Sequence, residues 1–131
     1  MSLESALSFH GLIPEGVFSL SSVTSKKSKQ FSTPIGEFTF THVPQKVLLC
    51  GVERITDQYG ESFFMASPLK ALADYVYVQK PRRQDAASLL DELRIEKEAL
   101  QKIKAGDTAV LLENYSNSRV RQCILSIREI L

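Results

Sequence analysis

The chain has 131 residues, a length that fits one domain with a hydrophobic core of its own. Its hydrophobic fraction of 44% and charged fraction of 24% are those of an ordinary globular protein, and no apolar run approaches the roughly 18 residues of a membrane helix, so a membrane-spanning class is excluded. The net charge of +1 creates no overall attraction to nucleic acid, so such binding would have to depend on local clusters of charge.

The first half of the sequence predicts a short helix followed by four strands. The helix covers residues 2–10, with Ser2 as its N-cap and Gly11 as a left-handed residue after its end. Patterns of β-branched, aromatic and alternating residues predict strands at 17–24, 37–43, 47–52 and 62–66. The polar and basic segment 25–35 is interpreted as a loop. Residues 57–60 are a turn that predicts a hairpin ending in the fourth strand.

The second half is predicted to be helical. Ser67 and Pro68 mark the start of a central helix over 68–80, because serine caps a free N–H and proline at the first position has no N–H to leave unpaired. Apolar spacing predicts further helices at 85–93, 96–104, 107–115 and 117–130. The predicted fold class is α+β: a small, mostly antiparallel four-stranded sheet over about residues 17–66, packed with the central helix and a C-terminal helical region.

The histidines, cysteines and serines do not form a recognisable reaction centre. His10 and His42 lack the neighbours of a zinc site; we interpret His10 as meeting a helix end and His42 as a partly buried strand residue with a hydrogen bond. Cys50 and Cys123 lie in apolar runs and are interpreted as reduced packing residues. No glycine-rich phosphate loop or nucleophile motif is present, so no cofactor, metal or catalytic residue is predicted.

Four carboxylates keep one enzymatic alternative open, a metal-dependent nuclease or a degenerate form of one. They are Glu53, Asp57, Glu61 and Asp74. A lysine one residue beyond a strand acid would be expected in such a site, and Phe63 occupies that place after Glu61. The structural interpretation of Asp74 is a hydrogen bond to an N–H of a neighbouring strand or loop.

Basic residues form three local clusters that are candidates for nucleic-acid contacts. The candidate residues are Lys26, Lys27, Lys29, Arg82, Arg83, Arg119 and Arg121. Contacts with phosphate groups need only accessible positive charge, whereas base reading needs defined geometry. We therefore predict contacts with the DNA backbone.

Several motifs follow one another in a characteristic order. They are Ser5-Ala-Leu-Ser-Phe-His-Gly-Leu-Ile-Pro-Glu15, Thr33-Pro-Ile-Gly36 before an aromatic strand with His42, Ala66-Ser-Pro-Leu-Lys-Ala-Leu-Ala-Asp74, and the pair Arg119 and Arg121 before an apolar helix. In this order the chain resembles the C-terminal domain of AbiE-type antitoxins, which belong to abortive-infection, type IV toxin–antitoxin systems. Leu69 departs from the family pattern, which has a glutamate after the proline.

The resemblance implies a bacterial, cytoplasmic transcriptional regulator with a role in phage resistance. Such an antitoxin opposes a nucleotidyltransferase-like toxin, which is its functional partner, and represses its own operon. The resemblance supplies no catalytic residues. Members of this family carry an N-terminal winged helix-turn-helix that binds operator DNA, and the helix predicted at residue 2 leaves no room for one. The chain is therefore predicted to be a single domain, 1–131, from a longer protein.

Overall fold

The computed structural model describes residues 1–13, 19–34, 36–79 and 86–131. In these ranges the strands are β1 (Ser19–Thr24), β2 (Lys29–Thr33), β3 (Gly36–His42), β4 (Val52–Thr56) and β5 (Ser62–Ala66). The α-helices are α1 (Leu3–Phe9), α2 (Pro68–Val78), α3 (Ala86–Leu93), α4 (Ala105–Asn114) and α5 (Ser118–Ile130), and 3-10 helices cover Gln45–Val47 and Lys97–Lys102. The predicted α+β class is confirmed. The single four-stranded sheet is wrong, because the strands form separate sheets of three and two.

The three-stranded sheet has the order β1-β3-β2. The central strand β3 pairs in parallel with β1 and antiparallel with β2. Strand β2 lies within the segment predicted to be a loop, so that prediction is wrong. All five β2 residues are exposed, which explains why no hydrophobic signal marks the strand. An edge strand needs only main-chain pairing on one side, and polar side chains do not prevent it.

The two-stranded sheet is a hairpin that confirms the predicted turn at 57–60 and the predicted strand at 62–66, but its first strand is Val52–Thr56 instead of 47–52. Strands β4 and β5 are antiparallel, and Oδ1 of Asp57 accepts the N–H groups of Tyr59 (2.9 Å) and Glu61 (3.0 Å) in the turn between them. This Asx interaction replaces a backbone turn with a side-chain acceptor. Asp57 is therefore accounted for by the local structure.

The predicted strand at 47–52 is wrong. Its first residue, Val47, ends a 3-10 helix and is buried, whereas Leu49 is exposed and β4 begins only at Val52. Gly51 has a φ of +67°, and a Cβ added there would lie 3.0 Å from Cβ of Lys70. The chain thus turns close against α2 at a position where glycine is required, and it cannot continue as an extended strand.

Helix α2 is the centre of the core. Its predicted start is confirmed: Oγ of Ser67 accepts the N–H of Lys70 (3.2 Å), and Pro68 is the first helical residue. The helix ends at Val78, two residues before the predicted end, and Lys80 lies outside the described residues. Every residue from 68 to 76 is buried. The most extensive neighbours of α2 are α1 and α5 rather than a sheet, and α4 and β5 also contact it.

Helix α1 connects the core to both sheets. Ser2 occupies the predicted N-cap position, but its hydroxyl makes no cap bond. Ser5 and Ser21 exchange hydrogen bonds between α1 and β1, with Ser21 N–H to Ser5 Oγ at 2.8 Å. Nε2 of His10 donates to the carbonyl oxygen of Ala66 (2.8 Å) at the end of β5. Gly11 has a φ of +75°, so the left-handed end of this helix is confirmed.

The C-terminal region also packs against α2, through α4 and α5. Residues 97–102 form a 3-10 helix where an α-helix was predicted over 96–104. The last helix is confirmed: Asn117 caps it through the N–H of Val120 (3.2 Å), and its buried residues are Val120, Cys123, Ile124 and Ile127. Across the described ranges, no helix has both the length and the apolar character needed to span a bilayer.

Candidate nucleic-acid interface

Three exposed lysines lie on and beside the connection between β1 and β2. Lys26 and Lys27 are in the connection itself, and Lys29 is the first residue of β2. The N–H of Lys26 donates to Oγ1 of Thr24 (3.2 Å), which tightens the turn after β1. We call residues 26–29 the basic loop.

His42, at the end of β3, holds the basic loop in place. Its backbone N–H donates to Oγ of Ser28 (2.9 Å), and its Nδ1 donates to the carbonyl oxygen of Lys26 (3.1 Å). The prediction of a hydrogen bond for His42 is confirmed, but the prediction that it is partly buried is wrong, because the residue is exposed. The two bonds fix the course of the loop beside the sheet. The three lysine side chains therefore project from a defined backbone.

The positive charge of the basic loop is not neutralised within the described part of the chain. None of its three ammonium groups forms an ion pair with a described residue. The acid of the adjoining strand, Glu37, alternates with Phe38 and Phe40 and so projects to the opposite face of the sheet. The loop is consequently a local surplus of positive charge on a nearly neutral molecule.

An aromatic sheet face borders the basic loop. Phe31 pairs with Phe38 and Lys29 pairs with Phe40 across β2 and β3, so all four side chains lie on one face. Phe31 is 50% exposed, and its ring meets that of Phe40 edge to face with centroids 6.1 Å apart. We call Phe31, Phe38 and Phe40 the aromatic face. Helix α1 is bonded to the other face, through Ser21.

Arg119 and Arg121 stabilise helix ends. Nη1 of Arg119 donates to the carbonyl oxygens of Val76 and Gln79 (3.4 Å each) at the end of α2. Nη1 of Arg121 donates to the carbonyl oxygen of Leu112 and to that of Tyr115 (3.1 Å) at the end of α4. A guanidinium there satisfies free carbonyl groups and offsets the negative end of the helix dipole.

These contacts change the expected accessibility of the cluster that contains Arg119 and Arg121. Both arginines are half-buried, so their charge is less accessible than that of the exposed lysines. Their contact with nucleic acid remains a prediction, but their guanidinium groups already serve the fold. Arg82 and Arg83 lie outside the described residues. Among the residues that the structure describes, the basic loop is therefore the predicted cluster with accessible charge.

The core contains an ion pair that was not predicted from the sequence. Nζ of Lys70 lies 2.7 and 2.6 Å from the two carboxylate oxygens of Asp74, and both side chains are fully buried. The hydroxyl of Ser2 donates to Oδ2 of Asp74 (2.6 Å), and the hydroxyl of Tyr115 donates to Oδ1. We call Ser2, Lys70, Asp74 and Tyr115 the buried cluster. The expected backbone N–H partner of Asp74 is wrong, since the carboxylate is bonded to the side chains of Ser2, Lys70 and Tyr115.

The buried cluster joins distant parts of the chain. Ser2 precedes α1, Lys70 and Asp74 lie one turn apart on α2, and Tyr115 follows α4. Burial and the neighbouring Asp74 carboxylate raise the pKa of the Tyr115 phenol, which therefore stays a hydrogen-bond donor. A sequence signal for this cluster did exist: lysine and aspartate at i and i+4 in a helix with no polar face indicate a buried pair.

The other polar candidates are distributed over the surface. Glu53 lies on β4, 3.8 Å from Nζ of Lys104, and Glu61 is exposed beside the hairpin turn. Among the described residues, no three histidine, cysteine, aspartate or glutamate side chains are grouped so that they could hold a metal ion. Cys123 is buried, and Cys50 is half-buried with a thiol whose pKa is raised by burial. Both cysteines are free thiols, as predicted.

Comparison of the sequence with known protein families gave no match, and comparison with curated proteins gave none either. A functional assignment therefore depends on the residues and contacts described above and on the order of the sequence motifs.

Proposed function

We propose that the chain is a non-enzymatic regulatory domain of an AbiE-type, type IV antitoxin, acting in the bacterial cytoplasm and contacting the DNA backbone through the basic loop. The observation that carries the DNA contact is the group of three exposed lysines, unpaired with any described residue and held by His42. The antitoxin assignment is supported by the order of the motifs. The functional partner would be a nucleotidyltransferase-like toxin encoded beside it.

The geometry of the basic loop favours phosphate contact over base reading. Lysine side chains are flexible point charges, and the loop is a short connection that presents no helix to a major groove. Binding through such a group depends on counterion release, so it is sensitive to salt and nearly independent of sequence. The proposed contribution to operon autoregulation is therefore added affinity, and operator recognition is left to another module.

The motif Ala66–Asp74, one of those that resemble the antitoxin domain, is explained by stability. In the segment 66–74, Ser67 caps α2, and Lys70 and Asp74 form the buried ion pair. These side chains are buried and inaccessible to a macromolecular partner. The motif therefore supports a fold shared with the antitoxins, and contacts with a macromolecular partner would have to come from exposed residues.

Replacing Lys26, Lys27 and Lys29 together by alanine is expected to weaken binding to duplex DNA. The loss should be similar for unrelated sequences, and the slope of log K against log salt should fall by about 0.9 for each phosphate contact removed. Fluorescence anisotropy with two 20-base-pair duplexes at four salt concentrations measures both quantities.

The matched control removes three exposed charges elsewhere, with Lys46, Lys97 and Arg128 changed to alanine. It lowers the net charge by the same amount, so a general electrostatic effect would appear equally in both variants. Equal binding by the loop variant and the unchanged protein would contradict the proposed contact. Strong preference of the unchanged chain for an operator duplex would contradict its assignment to backbone contacts alone.

Co-expression tests the antitoxin assignment directly. The gene for a nucleotidyltransferase-like protein adjacent to this chain's gene should arrest growth when induced alone, and simultaneous expression of the chain should restore growth. Continued arrest at matched protein levels would overturn the assignment. Magnesium- or manganese-dependent cleavage of labelled DNA or RNA by the purified chain, abolished by Glu61→Ala, would overturn its non-enzymatic part.

A further inference from the structure

The aromatic face and the basic loop form one continuous surface. Phe31 of β2 lies beside Phe38 of β3, and Lys29 lies beside Phe40 two pairs further along that ladder, on the same face. His42, two residues after Phe40, anchors the basic loop at the end of the same strand. Aromatic rings are thus followed immediately by positive charge along the sheet.

We propose that this surface binds single-stranded nucleic acid, with unpaired bases stacking on Phe31 and Phe40 and phosphate groups contacting Lys26, Lys27 and Lys29. The inference deepens the proposed function, on which it rests for the role of the basic loop, by naming a second form of nucleic acid as ligand. Sheets that present aromatic side chains beside basic residues have the chemistry to bind bases and backbone together.

The exposure of Phe31 favours this ligand. Half of its surface remains accessible although a phenylalanine gains free energy from burial, and it is surrounded by the polar residues of an edge strand. A base in a duplex has both faces covered by its neighbours, so only an unpaired base can stack on a ring. The aromatic face therefore selects single strands, while the basic loop by itself accepts any phosphate backbone.

Charge complementarity distinguishes this face from other exposed apolar positions. Phe64 of β5 is 62% exposed, but it pairs across the hairpin with Arg54, and its sheet carries Glu53, Asp57 and Glu61 on or beside it. The aromatic face has three lysines beside it, and Glu37 projects to the opposite side. A polyanion is accordingly attracted to the three-stranded sheet more than to the hairpin.

The test compares Phe31→Ala with the matched control Phe64→Ala, since both remove an exposed phenylalanine from a strand. Anisotropy with labelled 12-nucleotide oligo(dT) and oligo(U) should show binding weakened about 5- to 150-fold by Phe31→Ala, the loss typical of one aromatic stacking partner. Phe64→Ala should change it less than about twofold, and binding to duplex DNA should be unchanged in both variants. Circular dichroism and thermal melting verify that both variants are folded.

Several outcomes would overturn the inference. Equal losses for the two variants, or equal losses on single strands and duplex, would remove the stacking role of Phe31. If Phe31→Ala changes only the sedimentation coefficient of the protein and leaves nucleic-acid binding unaltered, the aromatic face would be assigned to contact with a second copy of this chain. If single-strand binding is insensitive to Phe31→Ala and duplex binding still needs the lysines, the single-strand inference is refuted and the proposed function is not. Failure of growth rescue with stacking intact refutes only the antitoxin assignment.

Discussion

Replacing Leu72 by alanine is expected to lower the free energy of unfolding by about 2–5 kcal/mol, with a fall in Tm on the order of 10 °C. Leu72 is completely buried in α2, whose principal neighbours are α1 and α5. Removing its three outer carbon atoms leaves a cavity that these rigid helices can fill only in part. Urea unfolding followed by circular dichroism measures the loss.

Leu125→Ala is the matched control, because it makes the same change in a helix interior. Leu125 lies on α5 and is 41% exposed, so its truncation should cost no more than about 1 kcal/mol. Leucine and alanine have similar helix propensities, so the difference between the two variants reports burial. A Tm shift below about 2 °C for Leu72→Ala would contradict the central position of α2 in the core.

Elements with strong local signals were predicted correctly from the sequence. Ser67 and Pro68 determine the start of α2 through short-range bonds, and Asp57 closes the hairpin turn through groups two and four residues away. The apolar spacing of α5 likewise identifies its buried residues. For α2 and the hairpin turn the stabilising bonds lie within a few residues of one another. For α5 the apolar residues recur at the helical period, so the pattern shows which face is buried although the packing partners are distant.

Elements that depend on distant contacts were not predicted. Strand β2 has no apolar pattern and exists because its main chain pairs with β3. The apolar run 47–52 resembles a strand, yet the chain turns at Gly51, whose positive φ and close approach to Lys70 of α2 both require glycine. Arg119 and Arg121 fall on the polar side of α5, but helix ends from elsewhere in the fold place carbonyl groups beside them. Tertiary structure overrides local propensity at these positions.

The candidate interface was predictable only in part. The charge of Lys26, Lys27 and Lys29 is evident in the sequence, so the cluster was identified there. The aromatic face was not, because the common side of Phe31 and Phe38 follows from the register of β2 and β3. The anchoring role of His42 also depends on the proximity of the end of β3 to the basic loop.

Replacing Lys70 by methionine is expected to lower the free energy of unfolding by about 3–5 kcal/mol. Methionine approximates the length of the lysine side chain, so packing is largely kept while the ammonium group is lost. The Asp74 carboxylate would then remain buried with hydroxyl donors from Ser2 and Tyr115 but without its countercharge. A buried charge lacking a partner is far more costly than the intact pair.

The variant Lys70→Met, Asp74→Asn separates the loss of charge balance from the loss of packing. The amide that replaces the carboxylate carries no charge, and its Oδ1 can accept from one hydroxyl while its Nδ2 donates to the oxygen of the other. The double variant should therefore be more stable than Lys70→Met alone by about 1–3 kcal/mol. Urea unfolding of the unchanged chain, the two single variants and the double variant gives the coupling energy. Additive losses would contradict a coupled pair, because two independent side chains show no interaction term. Positive coupling would mean that Lys70 is retained in α2 mainly because Asp74 is there, and Asp74 in turn connects α2 to Ser2 and Tyr115.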